Sequence, residues 1–271
     1  MKEGTKKSIG PDYRKGNTPI LETNGVTVDF GGLRAVNNLD IKVYEGEIFV
    51  ILGGSGCGKS TLMKHIIGLI RPFSGRVTID GDNVFDPDDA VYQKILRKIG
   101  VLYQSSALLG SMTLAENVAL PIREYTDLPK ESVDRIVRMK LKLVNLNGYE
   151  NYLPSELSGG MRKRAGLARA MALNPKILFF DEPSAGLDPV TSAGLDNLII
   201  HINRVQGTTM VIVTHELRSI FSVAQRIIML DKQTRGIIAE GDPRDLRENS
   251  RNRLVKDFFN PVPQQNRTDI R

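Results

Sequence analysis

Residues 50–66 read VILGGSGCGKSTLMKHI. An apolar run enters a glycine-rich turn, and a helix-forming run leaves it. Glycines at 53, 56 and 58 permit backbone angles that side chains forbid, so successive N–H groups can turn inward. Together with the N-terminus of the following helix, those donors bind polyphosphate oxygens. Lys59 is spaced to reach the β- and γ-phosphates, and the Ser60 hydroxyl is a natural magnesium ligand. Gly54, Ser55, Cys57 and Thr61 complete the loop. A glycine-rich turn before an ordinary helix is the bland alternative. It does not explain strand, loop, Lys-Ser and helix in one register. The stretch predicts an α/β fold with a phosphate-binding loop at a strand end.

A magnesium nucleotide needs an acidic anchor and a base. KILFFDEPSAGLD, residues 176–188, supplies both. Ile177 to Phe180 read as a buried strand that ends at Asp181, whose carboxylate can hold magnesium directly or through water. Glu182 follows, placed to polarise an attacking water. TMVIVTHE, residues 209–216, is another nearly continuous apolar strand, as in a parallel sheet covered on both faces. Its end carries His215. A histidine at a strand end is ordinarily a surface residue. In a parallel neighbour of the phosphate-loop strand, that end faces the nucleotide, which favours a γ-phosphate contact.

Other segments fill in around these. GVTVDF, LDIKVY and GRVTIDG read as strands, and RIIMLD with GIIAEG as a final strand pair. The phosphate-loop helix is expected to run to Pro72 with Leu62, Ile66 and Leu69 on one face. Residues 129–148 form an amphipathic helix, with Pro129 in its first turn, Val133, Ile136, Val137, Leu141 and Val144 as its stripe, and Gly148 as its end. Another helix is expected over about 158–173. Residues 101–122, VLYQSSALLGSMTLAENVALPI, begin as a strand and then read as an apolar loop after Gln104. Residues 1–19 are polar and aperiodic, an expected disordered tail. Residues 243–271 are read as a charged, irregular extension with an Arg-rich, helix-like start, solvated or in weak contact with a second subunit.

ELSGGMRKRAG, residues 156–166, places Gly159 and Gly160 at a helix start after Ser158. That is a second phosphate-binding device in one chain. One nucleotide does not need both within a subunit. A head-to-tail dimer, each site taking one device from each chain, is the economical reading.

GGSGCGKST, LSGGM, ILFFDEPSAGLD and VTHE, in that order, resemble the nucleotide-binding subunit of ABC transporters over about residues 20–242. The resemblance implies a P-loop NTPase (RecA-like) core, an antiparallel β subdomain and a helical signature subdomain over about 105–170. It implies ATP and Mg²⁺ as ligands. It makes Gln104 the Q-loop residue, which touches magnesium, places Asp188 in the D-loop, and puts Phe30 where an aromatic stacks on adenine, although a core Phe is the plain alternative. Met161 stands where the family usually has Gln, and Phe30 where it often has Tyr. A closer resemblance, carried by FGGLRAV, YQSSALLGSMTLAENVALPI, MKLKLVNL, PSELSGGMRKRAGLARAMALNP and DEPSAGLDPVTS, is to Mla/Mce-type lipid transport ATPases. This implies a homodimer on the cytoplasmic face of the inner membrane, bound to a multispanning MlaE-like permease near Gln104–Met112 and, through it, to an MCE protein. Leu108, Leu109 and Met112 would form the docking wall. Lipid enters by family alone. The ATPase of another ABC importer, for an amino acid, ion or peptide, is the alternative.

Composition agrees with this and excludes rivals. The chain has 271 residues, a net charge of +6 and 6% aromatics with no Trp. The basic residues form no long block, which weakens a nucleic-acid surface, and no nucleic-acid partner is expected. DNA-repair ATPases with this signature need long coiled coils, for which residues 62–157 leave no room. A phosphate-loop kinase would have no use for LSGGM. No apolar run approaches the ~18 residues of a membrane span. No apolar leader opens the chain, and a single cysteine, Cys57, fits a reducing compartment.

Overall fold

The computed structural model describes residues 18–30 and 33–261. The tail expected over 1–19 lies outside these except for its last two positions, as does the stretch from 262 onward. The side chain of Phe30 is also outside them.

Two sheets carry the fold. The first is antiparallel, in the order β2-β1-β4-β5. It comprises β1 (Pro19–Phe30), β2 (Leu33–Tyr44), β4 (Ser74–Ile79) and β5 (Asp82–Asn83). The second contains β3 (Ile48–Gly53), β6 (Ile99–Leu102), β7 (Ile177–Asp181), β8 (Thr209–Val213), β9 (Arg226–Leu230) and β10 (Ile237–Gly241), in the order β10-β9-β3-β8-β7-β6. Its strands run parallel except β10, which lies antiparallel on β9.

Alternation along each parallel strand builds two cores, because successive side chains leave opposite faces. On β3, Ile48, Val50 and Leu52 enter one core, and Phe49 and Ile51 the other. The second core fills the space under the antiparallel sheet, with Leu62, Met63 and Ile66 of α1 (Lys59–Ile66) and Ile95 of α2 (Asp89–Lys98). The first core packs α3 (Leu114–Tyr125), α4 (Lys130–Leu143), α5 (Gly159–Ala170), α6 (Pro189–Gln206) and α7 (Leu217–Val223). Strands buried on both faces account for the unbroken apolar runs.

Several expectations need correction. Helix α1 stops at Ile66, because Gly68 turns to φ 83°. Leu69 is therefore not on the buried stripe and stands 55% exposed. Helix α4 ends at Leu143, ahead of Gly148. The supposed loop through 122 becomes helix at Leu114. Thr113 and Glu116 form a capping box that starts α3. The segment before it is pinned as well: the Asn117 amide donates to the Leu109, Met112 and Thr113 carbonyls and accepts from the Leu109 N–H. Within the expected irregular extension, residues 243–259 are mostly helical. They form α8 (Pro243–Asn249) and α9 (Arg253–Phe259), and Val255 and Phe259 join the first core.

Candidate nucleotide site

The phosphate loop leaves β3, which lies between β8 and β9. Asp181 and Glu182 therefore emerge from β7, and His215 from β8, at the same edge as the loop. The glycines are placed by geometry. A Cβ at Gly53 would stand 2.4 Å from the Leu230 carbonyl oxygen and 2.7 Å from Cys57 Sγ. Gly58 caps α1 at φ 93°. Cβ atoms at Gly54 and Gly56 would meet nothing within 4 Å, so that side of the loop is open. Ser55 is exposed, Cys57 is buried, and Thr61 sits half-buried in the first turn of α1.

The Lys59 ammonium folds back onto the loop and donates to the carbonyls of Gly53 at 2.8 Å and Gly54 at 3.1 Å. The Ser60 hydroxyl donates to Asp181 Oδ1 at 2.7 Å. A hydroxyl and a carboxylate are hard oxygen donors of the kind magnesium takes, and an octahedral ion with ~2.1 Å bonds needs neighbouring oxygens roughly 3 Å apart. The pair fits the ion. Glu182 has its N–H on the Val213 carbonyl at 2.9 Å and a φ of 46°. Its Oε1 meets His215 Nδ1 at 2.8 Å. The Glu182 side chain is 12% exposed and that of His215 65%.

Gln104 lies two residues past β6 and is exposed. The second device is built elsewhere in the chain. Ser158 caps α5, accepting from the Met161 N–H at 3.3 Å. A Cβ at Gly160 would stand 2.4 Å from Thr191 Cγ2, so close packing on α6 requires glycine there. Gly159 faces Leu187. Asp188 caps α6 through the N–H groups of Val190 and Thr191 at 3.0 Å. Phe30 ends β1, and its expected stacking falls outside what is described.

Two features escaped the sequence. Lys163 is 5% exposed and reaches the main chain beside Gln104 and Glu182. Burial pushes its pKa down, and Asp181 and Glu182 oppose that shift. Three basic residues in a row, Arg162 to Arg164, give no hint which one turns inward. The other is an open cleft of about 470 Å³ lined by Leu69, Tyr92, Leu96, Val101, Leu120 and Tyr125. Its walls come from four separate segments, which no local pattern joins. The docking wall expected at Leu108, Leu109 and Met112 is only partly free: Leu109 is 42% exposed, while Leu108 packs against the first core.

A parallel sheet with a phosphate loop after β3 and a carboxylate pair after β7 defines a nucleoside triphosphatase. Residues 36–185 match the ABC transporter family profile, and the chain belongs to that family: it is an ABC ATPase. The probable ribonucleotide transport ATP-binding protein mkl of Mycobacterium leprae is 41% identical over 253 residues, 93% of this chain and 72% of its own length. The chain spans 66% of the Mycobacterium tuberculosis counterpart. The intermembrane phospholipid transport system ATP-binding protein MlaF of Escherichia coli is 38% identical, covering 90% of this chain and 91% of its own. The methionine import ATP-binding protein MetN of Carboxydothermus hydrogenoformans is 40% identical, over 85% and 67%. Among solved structures, the ATP-binding cassette MJ0796, a dimer with ADP and Pi, superposes with a TM-score of 0.74 at 32% identity, over 82% of this chain and 98% of that one. Among the described residues, no helix is long and apolar enough to cross a membrane.

Proposed function

We propose that this chain is the ATP-hydrolysing subunit of a transporter that moves phospholipid between membranes. It works as a homodimer on the cytoplasmic face of the inner membrane, beneath an MlaE-like permease that hands lipid to an MCE protein. The observation that carries this reading is the near end-to-end match to MlaF, 90% of this chain against 91% of that one. The mkl and MetN matches leave about a third of those longer proteins unmatched. A methionine-type importer is the second reading, favoured by 40% identity to MetN.

The site residues take the following roles. Inward N–H groups of Gly54–Thr61 hold the β- and γ-phosphates. Lys59 leaves the Gly53 and Gly54 carbonyls to pair with the phosphate charge. Ser60, Asp181 and Gln104 are the residues that would hold magnesium, which offsets charge on the transferring phosphoryl group. Glu182 Oε1 orients the attacking water and draws its proton. His215, 2.8 Å from that carboxylate, positions it and reaches the γ-phosphate side. Ser158, Gly159, Gly160 and Asp188 serve the partner's nucleotide. Phe30 stacks on adenine.

Two experiments test this. Affinity capture of the tagged chain from detergent-solubilised membranes recovers an MlaE-like permease and an MCE protein. Recovery of an amino-acid permease without an MCE protein sinks the lipid reading. In the purified complex, Glu182→Gln keeps ATP affinity and loses roughly 10²–10⁴ in turnover. Normal turnover removes Glu182 from the base role.

A further inference from the structure

We propose that Lys163 is a positioning residue that fixes the main chain of Glu182 and ties it to the signature helix. Lys163 lies on α5, five residues after Ser158, and is 5% exposed. Its ammonium donates to two carbonyls, that of Gln104 at 2.6 Å and that of Glu182 at 3.3 Å. One carbonyl belongs to the chain leaving β6 and the other to the chain leaving β7. A single side chain thus joins three segments: the helix that begins at Ser158, the Gln104 loop and the Glu182 turn.

Glu182 is where such a clamp has an effect. Its φ of 46° is in the left-handed region, which is strained for a non-glycine residue and persists only where the surroundings enforce it. The Val213 carbonyl holds its N–H at 2.9 Å, and its C=O accepts from the Ala185 N–H at 3.2 Å within the turn and from Lys163 at 3.3 Å from outside it. With both main-chain groups fixed, the carboxylate is aimed at His215.

The plain alternative is a buried lysine that only satisfies its own donors. Burying an ammonium is unfavourable, and two neutral carbonyls offset that only in part. Asp181 and Glu182 oppose the burial without cancelling it, so the position of this cation at the acidic edge of the site is not explained by its own stability. The same helix grips the Gln104 loop a second time, through Arg169 to the carbonyls of Ser106 and Ala107 at 3.1 and 2.6 Å. Arg169 can therefore hold that loop to α5 without Lys163. Of these two basic side chains only Lys163 reaches the Glu182 carbonyl, which also accepts from the Ala185 N–H at 3.2 Å.

The inference rests on Glu182 as the base, and the test separates the two. Lys163→Met fills the same space without a donor. In the purified complex it is expected to lower kcat about 10- to 100-fold, the scale of a misplaced catalytic group, while KM for ATP and the melting midpoint hold. Because Lys163 acts through Glu182, the double variant with Glu182→Gln should turn over no more slowly than Glu182→Gln alone in single-turnover assays. Wild-type kcat in Lys163→Met overturns the inference. So does a loss confined to KM, or a loss that multiplies with that of Glu182→Gln. If Lys163→Met does not fold, Lys163→Gln, one bond shorter and so out of hydrogen-bond reach of the Glu182 carbonyl, is judged by the same criteria. A normal Lys163→Met beside an inactive Glu182→Gln sinks this inference alone. An active Glu182→Gln sinks the base assignment and this inference with it.

Discussion

The carboxyl of Asp196 is buried on α6, where the Ser219 hydroxyl of α7 donates to it at 2.8 Å. Burial, reinforced by the charge of Glu216, raises its pKa from 3.8 to about 6. The folded pKa lies above the unfolded one, so the folded chain holds this proton more firmly. The stabilising contribution is complete below pH 3.8 and is lost as pH rises through about 6. Above that, an ionised carboxylate stays buried at a cost of up to about 3 kcal/mol. Asp196→Asn is therefore expected to raise the melting midpoint at pH 8 and to give no gain near pH 4. Calorimetry at the two pH values checks this, and an equal shift at both would contradict it. Residue by residue, the sequence was most legible where chemistry and spacing coincide. Lys59, Ser60, Asp181, Glu182 and His215 come to one edge of the sheet because the ends of β3, β7 and β8 lead into the segments that carry them. Asp196 and Lys163 were not legible. A polar residue on an amphipathic helix gives no sign of which way it turns until the neighbouring helices are in place.

Among the elements, the parallel strands were read closely because burial on both faces leaves an unbroken apolar run. Helix α2 went unread: of its ten residues only Ile95 is fully buried, which is too thin a stripe to register. Charge leaves only a helix-like start visible where α8 and α9 form, and it masks their packing, in which Phe259 lies 5.5 Å from Phe221. Helix α3 looks like loop in the sequence because Pro121 sits inside it and small residues precede it. That error bears on docking. With α3 formed, the broad apolar surface is the cleft beside Leu120, which is 38% exposed. An amphipathic permease segment needs apolar anchors in such a groove. Leu120→Asp is expected to leave the isolated subunit within about 0.5 kcal/mol of wild-type stability, as exposed substitutions do. It is expected to weaken permease binding by at least ~2 kcal/mol, the loss of an anchor from its pocket. Titration of the labelled subunit onto permease in detergent measures both arms, with Leu109→Asp alongside. If only Leu109→Asp releases the permease, the docking wall is the 105–112 loop and not the cleft.

At the scale of the molecule, Ser158 caps α5 at an exposed position, Gly160 packs against Thr191 of α6, and Lys59 lies on its own loop carbonyls. Head-to-tail pairing makes a definite prediction for mixed dimers. Lys59→Ala on one chain and Ser158→Arg on the other spoil the same composite site twice and leave the second intact. Both changes on one chain spoil both sites. ATPase activity of tagged, purified mixed dimers should be clearly higher in the first arrangement, and the reverse order would mean that each site is built within a chain. The pairing of β3 has a further consequence, one of timing. Its two neighbours, β8 and β9, begin at Thr209 and Arg226, long after β3 itself ends at Gly53. Contacts so distant along the chain form slowly. A ribosome therefore releases the glycine loop well before the strands that will flank it, and the newborn chain carries an unpaired apolar β3 until residues 209–230 have been made.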